Sequence, residues 1–108
     1  MTCLFLLSPT VVMSETVKYE DLVKTKGLYY QKSSDVPFTG TVTGKSQGKI
    51  KKGKRDGPWI SYYDNGQLWW EGSYRDGERE GSWFFYNENG TVNGEKTGNY
   101  KDGVKVSG

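Results

Sequence analysis

The chain contains an internal repeat, and this repeat limits its possible folds more than any other feature. The segment Gly57–Gly77 is followed by an imperfect copy of itself 24 positions later. A period of about 20 to 50 residues indicates stacked units that bury apolar surface only against their neighbours. We therefore predict a repeat protein. The recurring residues are Gly57 and Gly81, Trp59 and Trp83, Tyr62 and Tyr86, Asn65 and Asn89, Glu71 and Glu95.

Each repeat is predicted to be a β-hairpin. The Asn65-Gly66 pair lies between runs rich in Trp, Tyr, Ile and Leu, and these two residue types best tolerate the positive φ angles of a type I′ turn. A two-residue turn there places Trp59 opposite Gly72, so we expect the Trp59 ring to cover that glycine. The Asp76-Gly77 and Asp102-Gly103 pairs predict further tight reversals.

The sequence leaves two arrangements of the aromatic side chains open. Trp59 and Tyr62 are three residues apart, as are Trp83 and Tyr86, and residues at that spacing point to opposite faces of a regular strand. Either both faces of the sheet carry aromatic rings, or a β-bulge redirects one ring of each pair.

The composition predicts a sheet held together by aromatic rather than aliphatic residues. Hydrophobic residues make up 33% of the 108 residues and aromatic residues 15%, while alanine, the strongest helix former, is absent. A net charge of only +2 argues against a disordered chain. We expect one all-β domain, a single-layer antiparallel array of β-hairpins.

The first 14 residues differ from the rest of the chain because they are uncharged and largely apolar. They are too few to span a bilayer, which needs about 20 apolar residues. We interpret residues 1–14 as a truncated signal peptide, which predicts export to the periplasm or cell surface. The alternative is a buried N-terminal strand of a cytoplasmic protein. Cys3, the single cysteine, lies in this segment, so a processed chain would have no disulfide.

A short helix and a strand are predicted before the repeats. Tyr19, Leu22 and Val23 have helical spacing, so a helix is expected over Val17–Lys26, followed by a strand at Leu28–Gln31. The predicted segments are the signal peptide 1–14, the lead-in 15–36 and the repeats 37–108, which consist of a degenerate unit 37–56 and the units 57–80 and 81–105.

The motif G-x-W-x-x-Y-x-x-N-G-x-L resembles the bacterial variant of the MORN repeat family, a group often labelled YwqK-type antitoxins. It begins at Gly57 and again at Gly81, with Val92 at the last position of the second copy. The resemblance covers about residues 19–106 and implies an array of hairpins for scaffolding or protein interaction, with toxin neutralisation as one such role. It implies no catalytic residues. Asn87 departs from the pattern, because Tyr63 occupies the same position in the first copy.

The sequence carries no pattern of an enzyme or a metal site. It has no histidine and no G-x-S-x-G, P-loop, C-x-x-C or H-E-x-x-H motif. Glu71 and Glu95 recur at equal positions of the repeat, for which a solvated ladder is a simpler interpretation than a catalytic pair. We therefore expect no catalytic residue, no metal and no cofactor.

A basic run between Lys45 and Arg55 raises the question of an anionic partner. Lysines on a terminal hairpin also deter edge-to-edge pairing of sheets. Moreover, the run precedes the Trp-rich part of the chain, whereas stacking of nucleic-acid bases needs both together. Nucleic-acid binding is therefore not expected, and self-association through open sheet edges remains an alternative.

The aromatic side chains are the main candidates for a binding surface. Most rings are expected in the core, above all Trp59 and Trp83, but at least one of the adjacent Trp69 and Trp70 is expected to be accessible. We expect a non-catalytic module that binds a protein, with a cell-wall or other envelope glycan as the alternative ligand. The candidate surface consists of Trp59, Tyr62, Trp69, Trp70, Trp83, Phe85 and Tyr86.

Overall fold

The computed structural model describes residues 15–108 as a chain of β-strands with one 3-10 turn. Eight strands form one sheet in the order β1-β4-β5-β6-β7-β8-β9-β10, and β2 and β3 form a separate hairpin. This confirms the all-β array of hairpins, while the predicted signal peptide lies outside the described residues. The strands are β1 Thr16–Lys18, β2 Leu22–Thr25, β3 Leu28–Gln31, β4 Gly40–Thr43, β5 Ser46–Lys51, β6 Lys54–Tyr62, β7 Leu68–Arg75, β8 Glu78–Phe85, β9 Gly98–Lys101 and β10 Val104–Ser107.

The helix predicted over Val17–Lys26 is wrong, because backbone pairing between strands replaces it. The segment contains one 3-10 turn, Tyr19–Asp21, between β1 and β2. Strand β1 pairs in parallel with β4, and β2 pairs with β3 across the Lys26-Gly27 turn. Gly27 therefore closes a hairpin instead of ending a helix. The strand predicted at Leu28–Gln31 is confirmed, and no helix within residues 15–108 is long and apolar enough to cross a membrane.

The hairpins have a row of two-residue turns at one end. Both residues of each turn have positive φ, which is the signature of a type I′ turn and explains the glycine at the second position. The reversals predicted at Asp76-Gly77 and Asp102-Gly103 are therefore confirmed. The turns in this row are Lys26-Gly27, Lys52-Gly53, Asp76-Gly77 and Asp102-Gly103.

The loop at the other end of the central hairpin differs from its prediction. Only Gly66 has positive φ there, and the closing hydrogen bonds are Gly66 N–H to Tyr63 O and Tyr63 N–H to Gln67 O. This is a three-residue loop with a glycine bulge, not the type I′ turn predicted for Asn65-Gly66. The side chain of Asn65 contributes to this loop, since its Oδ1 accepts the Gln67 N–H at 2.9 Å.

Tryptophan rings pack on glycines of the neighbouring strand. Trp59 lies opposite Gly72, as predicted, but its ring covers Gly48 of the preceding strand β5. The ring over Gly72 belongs to Trp83 of the next repeat, which corrects the expectation that Trp59 covers it. Each indole N–H also donates to a backbone carbonyl of the strand that it covers, at 2.9 and 3.0 Å. Each repeat is thereby fixed to the one before it.

The core lies on one face of the sheet and is mainly aromatic. All of its buried apolar residues except Val42 and Ile50 carry aromatic rings. Within it, the buried hydroxyls of Ser46 and Ser61 share a hydrogen bond of 2.7 Å. The core residues are Tyr29, Phe38, Val42, Ile50, Trp59, Trp70, Tyr74, Trp83, Phe85 and Tyr100.

The packing of tryptophan on glycine predicts a large effect of Gly72→Ala. A Cβ at this position would overlap the Trp83 indole. We expect the free energy of unfolding, measured by urea denaturation, to fall by about 1–3 kcal/mol because the core is overpacked. Gly94→Ala is the control, since nothing lies within 4 Å of the added Cβ there, and a change below about 0.5 kcal/mol is expected. Equal effects of both substitutions would contradict the prediction.

Candidate functional site

Four of the seven residues of the expected surface lie in the aromatic core. Trp83 packs between Trp70 and Phe85, with ring centroids at 5.3 and 5.7 Å. These side chains expose almost no surface, so the surface that can meet a partner is smaller than the set expected from the sequence. The exposed fractions are 2% for Trp59, 8% for Trp70, 1% for Trp83 and 4% for Phe85.

Two of the remaining residues, Tyr62 and Trp69, line the same open cleft at the loop end of the hairpins. The cleft has a volume of about 320 Å³ and also contains Tyr19 and Tyr63. We call it the aromatic cleft. The seventh residue, Tyr86, contacts this site through its backbone, since its carbonyl accepts the Tyr63 hydroxyl at 2.7 Å.

A β-bulge makes Trp69 accessible. Ser61 pairs with Trp70 and Tyr62 pairs with Leu68, so Trp69 is an extra residue of β7 with no partner in β6. Bulges redirect side chains and often lie beside functional sites. Trp69 is 42% exposed and stacks on the Tyr63 ring, with centroids 5.0 Å apart and an interplanar angle of 24°.

The first of the two alternatives, aromatic rings on both faces, holds for Trp59 and Tyr62. Strand β6 has no extra residue between Trp59 and Tyr62, so these two side chains keep opposite faces. The bulge lies in the partner strand instead, where it redirects Trp69.

The rim of the aromatic cleft carries charges of both signs. Lys45 and Asp64 form an ion pair across adjacent hairpins, and Glu88 lies at the same rim. The stacked rings of Tyr63 and Trp69 with this charged rim form a surface suited to binding a ligand that has both apolar and polar groups. Within residues 15–108 no three His, Cys, Asp or Glu side chains cluster as metal ligands would.

The sequence analysis named Arg55 only as the end of the basic run and did not consider Arg79, but both arginines lie beside rings of the aromatic core. Arg55 and Arg79 are 24 positions apart, each two residues after the glycine of a type I′ turn, so the repeat itself was the signal. They lie opposite Ile50 and Tyr74, respectively, in the paired strands. Lys105 takes the corresponding place opposite Tyr100 in the last hairpin.

Arg55 lies within a cage of aromatic rings. Its guanidinium carbon is 4.8 to 5.9 Å from five ring centroids, a distance at which cation–π attraction operates. Its Nη1 donates to the Tyr74 hydroxyl at 2.8 Å, and Nη2 lies 3.5 Å from the Tyr19 hydroxyl. The five rings belong to Tyr19, Tyr29, Trp59, Trp70 and Tyr74.

Arg79 repeats this arrangement with three rings, whose centroids lie 5.0 to 5.4 Å from its guanidinium carbon. They belong to Trp83, Phe85 and Tyr100. Each arginine is therefore surrounded by aromatic rings at cation–π distance, and its remaining N–H donors can bind an acceptor.

Comparison with known proteins agrees with the repeat read from the sequence. Residues 55–76 and 79–102 each match the family model described as MORN repeat variant. No curated protein and no solved structure matches the chain.

The environment of Tyr29 predicts an unusual titration. Burial is the main cause that raises the pKa of Tyr29 from 10.0 to about 12, against the opposing effect of the Arg55 charge. Since the folded state favours the protonated phenol, this contribution to stability is complete below pH 10 and is lost as the pH rises through about 12. The measurement is tyrosinate absorbance of the parent minus that of Tyr29→Phe, with a step near pH 12 expected. A difference step near pH 10 would contradict the burial of this phenol.

Proposed function

We propose that this chain, which belongs to the MORN repeat variant family, is a non-catalytic module that binds another protein through the aromatic cleft. Repeats of this family are generally protein- or membrane-interaction modules and are typically non-enzymatic. The observation that carries the proposal is the exposure of Trp69 at a bulge, whereas the other three tryptophans are buried.

The composition of the cleft supports a protein as the ligand. Interfaces have aromatic residues at the centre and polar residues at the rim, and tryptophan and tyrosine are common hot spots. The stacked Tyr63 and Trp69 rings provide the centre, and Lys45, Asp64 and Glu88 provide the rim. The volume of about 320 Å³ is at the lower end of the range of about 300–1,000 Å³ for small-molecule pockets, so a protruding side chain of a partner fits it well.

Neutralisation of a toxin is the more specific role that we propose for this binding. Its support is the resemblance of the repeat motif to antitoxin-like proteins of the same family. In this proposal the toxin places an apolar side chain in the aromatic cleft, and inhibition follows from steric blocking without any chemical step. Export of the chain through residues 1–14 stays a prediction.

An envelope glycan is the second candidate ligand, and the geometry of one ring pair favours it. Tyr63 and Trp69 offer flat aromatic faces, and the rim carboxylates of Asp64 and Glu88 can accept hydrogen bonds from sugar hydroxyls. The same cleft would then bind a sugar ring in place of a side chain.

The proposal predicts that Trp69→Ala abolishes capture of a partner. In pull-downs from envelope and cytosolic extracts, we expect retention of the partner to fall by about 30-fold, the effect of losing a hot spot worth about 2 kcal/mol. The control is Phe84→Ala, because Phe84 is 46% exposed and lines a different depression beside Ile60. Both variants must retain the circular dichroism spectrum of the parent.

Three outcomes decide between the candidates. Loss of a protein only with Trp69→Ala supports the protein-binding module, and recovery of growth when the chain is co-expressed with that protein as a toxin supports neutralisation. Retention of wall polysaccharide with no protein favours the glycan. Equal retention by the parent and Trp69→Ala would remove the aromatic cleft from the function.

A further inference from the structure

A second cleft lies at the opposite end of the hairpins, along the row of type I′ turns. It has a volume of about 360 Å³, and its walls include the turn glycines and the side chains of Tyr29 and Tyr74. We call it the basic groove because four cationic side chains line it and only one carboxylate does. The cations are Lys24, Lys54, Arg55 and Arg79, and the carboxylate is Glu78.

The two arginines of the basic groove have no counter-ion within the part of the chain that the structure describes. The single ion pair in residues 15–108 joins Lys45 to Asp64, which is at the other end of the hairpins. The Nε of Arg55 is buried and has no hydrogen-bond partner there. A guanidinium has five donors, and the hydroxyls of Tyr74 and Tyr19 engage only part of them in Arg55.

A guanidinium with unused donors at the wall of a groove attracts an acceptor of opposite sign. The rings around Arg55 and Arg79 stabilise the two cations by cation–π attraction, and the hydroxyls of Tyr74 and Tyr19 leave other donors of Arg55 without an acceptor. A carboxylate accepts two parallel hydrogen bonds from a guanidinium edge, and this bidentate pairing is among the stronger interactions in proteins. An anion that enters the groove is therefore stabilised both by electrostatic attraction and by hydrogen bonds.

We infer that the basic groove binds an acidic segment of the partner protein, with one carboxylate on Arg55 and another on Arg79. This inference rests on the proposed function, since it states the chemistry of the partner that the module binds. Charge complementarity is the argument for this occupant: the groove holds four cations and one carboxylate, and cation–π contacts position the arginines before any ligand arrives.

The spacing of the arginines defines the segment further. Arg55 is on β6 and Arg79 is on β8, with β7 between them. Tyr74 of β7 pairs with Gly57 on one side and with Arg79 on the other, so Arg55 is also offset from Arg79 by two residues along the strands. The two Cα atoms therefore lie about 12 Å apart at the usual strand separation and rise per residue. An extended polyproline-type segment repeats every three residues with a rise of about 3.1 Å per residue. Two acidic residues three positions apart therefore lie on the same side of the segment about 9 Å apart, and the lengths of the glutamate and arginine side chains cover the remaining difference.

The test uses the full chain and a synthetic peptide that carries two glutamates three positions apart in a proline- and serine-rich background. Its partner peptide has glutamine at both positions. We expect the glutamate peptide to bind about tenfold or more tightly than the glutamine peptide, measured by isothermal titration calorimetry, because only carboxylates give charge-assisted pairs. The affinity should also decrease as the salt concentration rises.

Arg79→Gln tests the site within the protein, with Arg75→Gln as the matched control. Both substitutions remove one positive charge, but Arg75 is exposed and does not line the basic groove. We expect Arg79→Gln to weaken binding of the glutamate peptide about tenfold and Arg75→Gln to change it less than about twofold. If Arg79→Gln unfolds the chain, Arg79→Lys replaces it, and weaker binding is expected because the bidentate geometry is lost.

Several results would overturn the inference. The first is equal binding of the glutamate and glutamine peptides, and the second is that Arg75→Gln weakens binding of the glutamate peptide as much as Arg79→Gln does. The third is displacement of the glutamate peptide by inorganic phosphate at the same concentration as the peptide, which would indicate a general oxyanion site. Trp69→Ala separates this inference from the proposed function. That variant should still bind the glutamate peptide, even if the pull-down shows no dependence on the aromatic cleft.

Discussion

The contact between a tryptophan ring and a glycine of the preceding strand is the interaction on which the array depends. A strand of the sheet can accept the ring because glycine leaves room above the backbone, at Gly48 for Trp59 and at Gly72 for Trp83. The indole N–H then bonds to a carbonyl of that same strand. Since each ring reaches back to the previous repeat, the contact sets the order and spacing of the units, and a chain with few aliphatic residues still obtains a continuous core.

The second constraint is the pairing of arginines with aromatic rings. A single-layer sheet leaves much of its face near solvent, and long cationic side chains cover that face while their charged ends stay accessible. Arg55 and Arg79 lie at cation–π distance from rings of the aromatic core, so the same contacts complete the core and position two guanidinium groups beside it. Packing and the capacity to bind anions therefore have one structural origin.

The two ends of the hairpins offer different chemistry, and the prediction from sequence was successful at one end only. The pairs Asp76-Gly77 and Asp102-Gly103 specified the tight turns, because both turn residues need positive φ and these residue types tolerate it. The Asn65-Gly66 loop adopted a longer form, since an asparagine side chain can bond locally instead of entering the left-handed region. The bulge of β7, which exposes Trp69, was not predictable from residue types. The helix expected over Val17–Lys26 is not formed because the segments on either side of the Tyr19–Asp21 turn gain backbone pairing instead, β1 with β4 and β2 with β3.

The sequence by itself determined the repeat, the all-β hairpins, the tight reversals at Asp76-Gly77 and Asp102-Gly103 and the pairing of Trp59 with Gly72, because these depend on local φ preferences and on a period that is visible along the chain. Only the tertiary structure decided that Trp69 rather than Trp70 is exposed, that Trp83 rather than Trp59 covers Gly72, and that the aromatic cleft and the basic groove lie at opposite ends of the hairpins. The physical reason is that exposure of a ring depends on neighbours from adjacent repeats and on a one-residue bulge, and both arise from contacts between strands that residue order alone does not specify.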